Sequence, residues 1–257
     1  MRNHLAVRAQ HCQVRAREAL RIRCLIVRFL CVLGIGFGAS APAQPQPANN
    51  AAKAPHSLSA PRARNIWVGE SLQRYEGWKK LRDTAPAEAR AVVEKNMETA
   101  QARPRTREER IARGFMAWRT LETVIDPERV ERALAEYYRR FAGKRATAED
   151  FLKICKEISG RDLRWFLDYY INGSELPRIA LRRTQGNAAT EISGQIVVEN
   201  APPQYQVRVE MRLFTATGHI NHSVATNGGV TPFTVTSPQP VTRIALDPDM
   251  RILRRMR

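Results

Sequence analysis

Histidine and cysteine are scarce in this chain of 257 residues, with five of the first and four of the second. Three cysteines (Cys12, Cys24 and Cys31) fall within residues 1–43, which leaves Cys155 alone in the remainder. A lone cysteine excludes an internal disulfide and a cysteine-held metal for residues 44–257. With no histidine partner in its neighbourhood, Cys155 reads as an inert thiol in a helical core. Long hydrophobic runs are missing too. Phe29 to Ala41 is apolar or small for 13 residues, short of the ~20 a membrane-crossing helix needs. The basic residues carry no recognisable nucleic-acid module, so nucleic acid is not an expected partner.

What the first 43 residues do contain is an export pattern. Arg2, Arg8, Arg15, Arg17, Arg21 and Arg23 precede the apolar run, and Ala41-Pro42-Ala43 supplies the small-x-small site that a signal peptidase reads. We therefore expect a signal peptide over 1–43, a mature start at Gln44, no transmembrane span after cleavage, and a periplasmic or cell-envelope location. The leader holds seven arginines and Glu18, so +11 of the formal +17 belongs to the rest. Those charges alternate with acids, as in Glu128-Arg129-Val130-Glu131-Arg132, the mark of solvated helix faces. The unmixed cluster Arg251 to Arg257 adds an expected mild affinity for an anionic surface.

Residues 44–64 are rich in Ala, Pro, Gln and Asn and read as a flexible linker. The helical period then dominates over 65–175. Thr106-Arg107-Glu108-Glu109 and Thr147-Ala148-Glu149-Asp150 open helices, the first as a capping box. Asp126-Pro127 predicts a capping side chain before a proline at the first helical position. Val130, Leu134, Tyr138 and Phe141 share one face, with Gly143 as the stop. Phe151, Ile154, Cys155 and Ile158 share another, ending at Gly160. A last helix, Arg161 to Ile171, is apolar nearly all round and is expected to be sandwiched between neighbours. From 176 to 257 the period becomes two. Gln204 to Leu213 alternates, with Tyr205, Val207, Val209, Met211 and Leu213 inward. Shorter strands are expected at Ile179–Leu181, Ile192–Val198, Phe233–Val235 and Val241–Leu246. Turns at Gln185-Gly186-Asn187, Pro202-Pro203, Asn227-Gly228-Gly229 and Asp247-Pro248 separate them. The expected fold class is α+β: a helical domain followed by a small antiparallel β-sandwich.

Three stretches carry a resemblance to a known family. They are Ile66-Trp67-Val68-Gly69-Glu70-Ser71-Leu72-Gln73-Arg74-Tyr75; Arg113-Gly114-Phe115-Met116; and Tyr137 to Phe151 together with Ser159-Gly160-Arg161-Asp162-Leu163-Arg164-Trp165-Phe166. The first resembles the W-L-x-E-G-x-A-x-Y helix of the membrane alanine aminopeptidase family, the gluzincin zinc peptidases, whose glutamate is the third zinc ligand. The second resembles the helix start after that family's catalytic tyrosine. The third resembles its terminal helical repeat. The resemblance covers about residues 65–255 and implies that Glu70 stands at the third zinc-ligand position.

The same resemblance exposes departures. Such chemistry needs two histidines and a carboxylate on zinc, with a glutamate to take the water's proton. The H-E-x-x-H of the family would fall at Pro47-Ala48-Asn49-Asn50-Ala51, and the tyrosine that stabilises the oxyanion would fall at Ile111. No catalytic residue is therefore expected, and no cofactor for this chain alone, with zinc only if another polypeptide supplies the missing ligands. Whether the chain is an enzyme stays open at this point. The expected role is an exported binding or accessory domain whose concave inner helical surface meets a peptide or protein. The alternative is a fragment of a zinc-dependent aminopeptidase whose H-E-x-x-H lies on another polypeptide or in a missed upstream frame. His219-Ile220-Asn221-His222 reads as a loop tip, since on a strand residues i and i+3 point to opposite faces. Trp165, Phe166, Tyr169 and Tyr170 have the spacing of core packing more than of a peptide groove.

Overall fold

A computed structural model of the chain describes residues 63–183 and 190–256. The export leader, the Pro47–Ala51 stretch, most of the linker and the turn at 185–187 lie outside these residues.

The first helical rod is built from α1 (Ala63–Ile66), a π-helical turn (Trp67–Ser71) and α2 (Leu72–Thr84). Then come α3 (Pro86–Thr99), α4 (Arg107–Ile125), α5 (Pro127–Phe141) and α6 (Ala148–Ser159). A short α7 (Arg164–Phe166) runs into a second π-helical turn, Leu167–Ile171. Thr106 and Thr147 both make complete capping boxes, each hydroxyl accepting the N3 backbone N–H while the N3 carboxylate accepts the N-cap N–H. Gly160 closes α6 in the left-handed conformation at φ +74°.

Asp126 departs from expectation. Its backbone sits at φ +74°, ψ +145°, and its side chain caps nothing. The carboxylate instead accepts from the Arg208 guanidinium on a distant strand, and the backbone bond from Val130 N–H to the Asp126 carbonyl (3.1 Å) starts α5 unaided. The last helix also differs: it starts at Arg164, because Asp162 Oδ1 takes the Arg164 N–H at 3.1 Å and makes the entry turn.

The sandwiched helix is α4. Every residue from Ile111 to Ile125 is buried, including Arg113, Arg119, Thr120, Glu122 and Thr123. Buried polar groups need partners, and these residues find them, although Arg113 Nη1 has none among the described residues. Arg113 Nε donates to the Tyr170 carbonyl (2.7 Å) and Nη2 to that of Glu175 (3.2 Å). The Tyr75 hydroxyl donates to Glu122 (2.6 Å). Around α4 the aromatics form a contact chain: Trp67 stacks on Trp118 with centroids 4.9 Å apart, and Trp118 meets Phe151 edge-on at 4.9 Å. Gly114 lets α4 approach the π turn, since a Cβ there would stand 2.2 Å from Ser71 Oγ.

Among the described residues six strands follow: β1 (Arg178–Arg183), β2 (Glu191–Glu199), β3 (Gln206–Phe214), β4 (His219–Asn227), β5 (Gly229–Thr236) and β6 (Arg243–Leu246). They make two three-stranded antiparallel sheets, ordered β1-β2-β5 and β4-β3-β6. The fold class is α+β. Val207, Val209, Met211 and Leu213 point inward from β3, and both sheets contribute to one apolar cluster continuous with the helical core, from Trp67 to Leu253. β4 corrects the loop reading of His219–His222. Its outer face is polar, but its register opposite β3 (Val209↔Val224, Met211↔His222) makes it a strand.

Candidate functional site

Glu70 lies on the π turn between two buried neighbours, Val68 and Ser71. Single π-helical turns inside helices occur often at functional sites. Its carboxylate is partly exposed and pairs with Arg107 at the start of α4, Nη2 to Oε2 2.9 Å. Ile111, four residues on, is packed at 8% exposure and offers no hydrogen bond there. Among the described residues, no group of three or more His, Cys, Asp or Glu side chains is arranged to hold a metal ion. What stands at Glu70 is one carboxylate facing a guanidinium, and that set does not fit a zinc ion.

His219 is exposed and His222 half-buried on β4, so the two rings project to opposite sides of one sheet and cannot share a ligand. Cys155 is fully buried, and burial pushes its thiol well above the usual range. Trp165, Phe166, Tyr169 and Tyr170 pack on one another and on Tyr205. The Tyr170 hydroxyl donates to that of Tyr205 at 3.3 Å, and burial raises both phenols. They form a seam between helices and sheets.

The basic tail also has a structural part. Ile252 and Leu253 are completely buried. Leu253 N–H donates to Thr120 Oγ1 at 2.8 Å, and Arg255 N–H to the Pro177 carbonyl at 2.9 Å. Asp247 receives the backbone N–H groups of Arg251 (2.7 Å) and Ile252 (3.2 Å), with Arg254 Nε at 3.4 Å. The segment is docked into the protein through its backbone and through Ile252 and Leu253, while Arg255 stays exposed.

Docking of that segment against α4 creates a concavity. One stretch, of about 530 Å³, has an apolar floor of Trp78, Ala89, Val93 and Met250. Trp78 is held from below: its indole N–H donates to the Ala89 carbonyl (3.2 Å), and the Arg119 guanidinium lies 4.1 Å from its ring centroid. Arg119 Nη2 also donates to the Asp249 carbonyl at 2.6 Å. Burial lowers the Arg119 guanidinium to about 10, against the opposing pull of Glu122. A second stretch, of about 320 Å³, continues past Asn221, His222 and Ser223. Glu122, Pro127, Glu210 and Arg251 line both, so the two stretches adjoin. No sequence motif announces this groove, because its walls come from α2, α3, α4, the start of α5, β3, β4 and the docked tail.

No family model matches the chain, and no curated protein matches it. Among solved structures, it is similar to Legionella pneumophila aminopeptidase A in complex with aspartic acid, with a TM-score of 0.59. At the level of fold, the chain is aminopeptidase-like. The match has 16% sequence identity and covers 75% of this chain and 24% of the other, so the chain spans about a quarter of that protein's length.

Proposed function

We propose that this chain is an exported, non-catalytic binding or accessory domain related to the terminal part of zinc aminopeptidases. It acts in the periplasm or cell envelope. The observation that carries the reading is the state of Glu70. Its carboxylate faces Arg107 at 2.9 Å, where a zinc ligand would face a cation of its own and two imidazoles. Two further features support it: Ile111 stands where the resemblance calls for an oxyanion-stabilising tyrosine, and the corresponding H-E-x-x-H positions read Pro-Ala-Asn-Asn-Ala. The test is metal content and hydrolysis on purified protein. We expect no stoichiometric zinc and no cleavage of aminoacyl-amide substrates. Stoichiometric zinc and activity, both removed by Glu70→Ala, would overturn the proposal.

One observation favours a second reading, a fragment of a zinc-dependent aminopeptidase completed by another polypeptide. The matched solved chain is about four times as long as the part this chain covers. Translating the upstream DNA in three frames decides it: an H-E-x-x-H ending 19 positions before Glu70, as the family spacing requires, would make Glu70 a ligand in an assembled enzyme.

A further inference from the structure

Arg251 lines both stretches of the groove, and its guanidinium makes no good hydrogen bond. Its Nη2 is 3.5 Å from Glu122 Oε2 and its Nη1 is 3.8 Å from Glu210 Oε2, distances beyond good hydrogen bonds. The Arg251 side chain is 29% exposed and that of Glu210 is 23% exposed, so both reach the groove. Glu122 is different, since its other oxygen already holds the Tyr75 hydroxyl at 2.6 Å. The remaining charges on the rim are matched locally: Arg82 by Asp83, Arg90 by Glu94, Arg208 by Asp126, and Asp249 by Arg212. The groove therefore presents neither a net anion site nor a net cation site. It presents one underused donor fork beside one underused acceptor.

An amide backbone complements that pair. In an extended segment, the N–H and C=O of one residue point to the same side, as they do in a hydrogen-bonded pair of antiparallel strands. Its side chain then stands out of that plane. We infer that the groove binds an extended peptide through an internal apolar or aromatic residue. The N–H of that residue donates to Glu210, its C=O accepts from Arg251, and its side chain enters the apolar end formed by Trp78, Val93 and Met250. The flanking residues run past Asn221, His222 and Ser223, where the groove wall is polar. No terminal charge on the peptide is needed. This is how the binding-domain reading would be carried out, and the inference rests on that reading.

The probe is a terminally blocked pentapeptide, acetyl-Ser-Ala-Phe-Ala-Ser-amide, titrated by calorimetry into the full chain. We expect saturable 1:1 binding. Methylating the Phe backbone nitrogen removes the donor to Glu210 and weakens binding about tenfold to a hundredfold, the range of hydrogen bonds to charged groups. The cycle with Glu210→Ala separates this contact from a general loss of fit. In that variant the plain and methylated peptides bind equally, and replacing Phe by Ser still weakens both. Absence of saturable binding by the unaltered protein overturns the inference, as does a methylation penalty that persists in Glu210→Ala. Because the zinc and hydrolysis assays use the same protein, a metal-free, inactive chain that ignores the peptide would remove this inference alone. A zinc-loaded, active chain would remove the functional reading beneath it.

Discussion

In the helical half the large buried side chains are aromatic and touch in sequence: Tyr75 on Trp118, Trp118 on Trp67 and Phe151, Phe151 on Tyr137. In the sheets the inward positions are mostly Val, Ile, Leu and Met, with Phe233 the one buried ring on a strand among the described residues. Two sheets of three strands enclose little volume between them, and small units of this kind need help to be stable. The help comes from the helices. Arg119 and Thr120 of α4 bind the Asp249, Arg251 and Leu253 backbone, and Ile252 and Leu253 extend the shared core. One half is held by its own aromatic packing and the other by a strap that crosses to its neighbour.

The largest expected effect tests whether the strap makes the two halves melt as one. Trp118→Ala opens a cavity at the centre of the aromatic chain and releases its indole bond to the Trp67 carbonyl (3.0 Å). A loss of about 3–5 kcal/mol is expected for deleting a buried aromatic of this size. Because α4 also anchors the tail, helix and sheet signals should disappear in a single transition, followed by circular dichroism and by strand amide protection. A variant that lost its helices but kept protection in β3 would show that the sheets stand alone.

Next in size is the strap itself. Burial raises the Asp247 carboxyl from 3.8 to about 6, more than Arg254 and the two backbone donors lower it. Between about pH 4 and 6 the folded protein therefore holds this proton more tightly than the unfolded chain does. Stability from this group falls as pH rises through that window, and the cost of the buried charge is fully present above it. A shift of this size corresponds to about 2–3 kcal/mol. The stability of Asp247→Asn, measured by denaturant unfolding from pH 4 to 8 and subtracted from that of the parent, should carry this slope. A flat difference would mean that the Arg254 pair offsets the burial.

These two sites were unequally legible. Capping at Thr106 and Thr147, the stop at Gly160 and the alternation ending at Leu213 are local patterns, and each appears where the sequence puts it. The burial of α4 is not local. Arg113, Arg119 and Glu122 look like a solvated face, and their partners lie at Tyr170, at Asp249 and at Tyr75, 57, 130 and 47 residues away. β4 was hidden for the same reason, since HINHSVATN has a polar outer face and becomes a strand through its pairing with β3. Glu70 could be singled out from its neighbours in sequence, but the Arg107 guanidinium across from it depends on how α4 packs on the π turn. The groove was not legible at all, because α2 and α3, α4 and the start of α5, the β3–β4 hairpin and the docked tail are far apart in the chain and meet only in the folded protein.

The smallest expected effect sharpens the contrast from the local side. Thr147→Ala removes the hydroxyl that accepts the Asp150 N–H (3.2 Å) and leaves Asp150 Oδ2 on the Thr147 position's own N–H (3.0 Å in the parent). Half of the capping box survives, so about 1 kcal/mol is at stake, within the range for Thr-to-Ala changes at helix N-caps. The denaturant midpoint should drop with no change in slope, since no buried surface is lost. In hydrogen exchange, the amides of the first turn of α6 should lose more protection than those of β3, because fraying there is sub-global while β3 opens with the whole core. Equal losses at both places would mean that α6 has no local opening of its own, and that the helical half is as dependent on its neighbours as the sheets are.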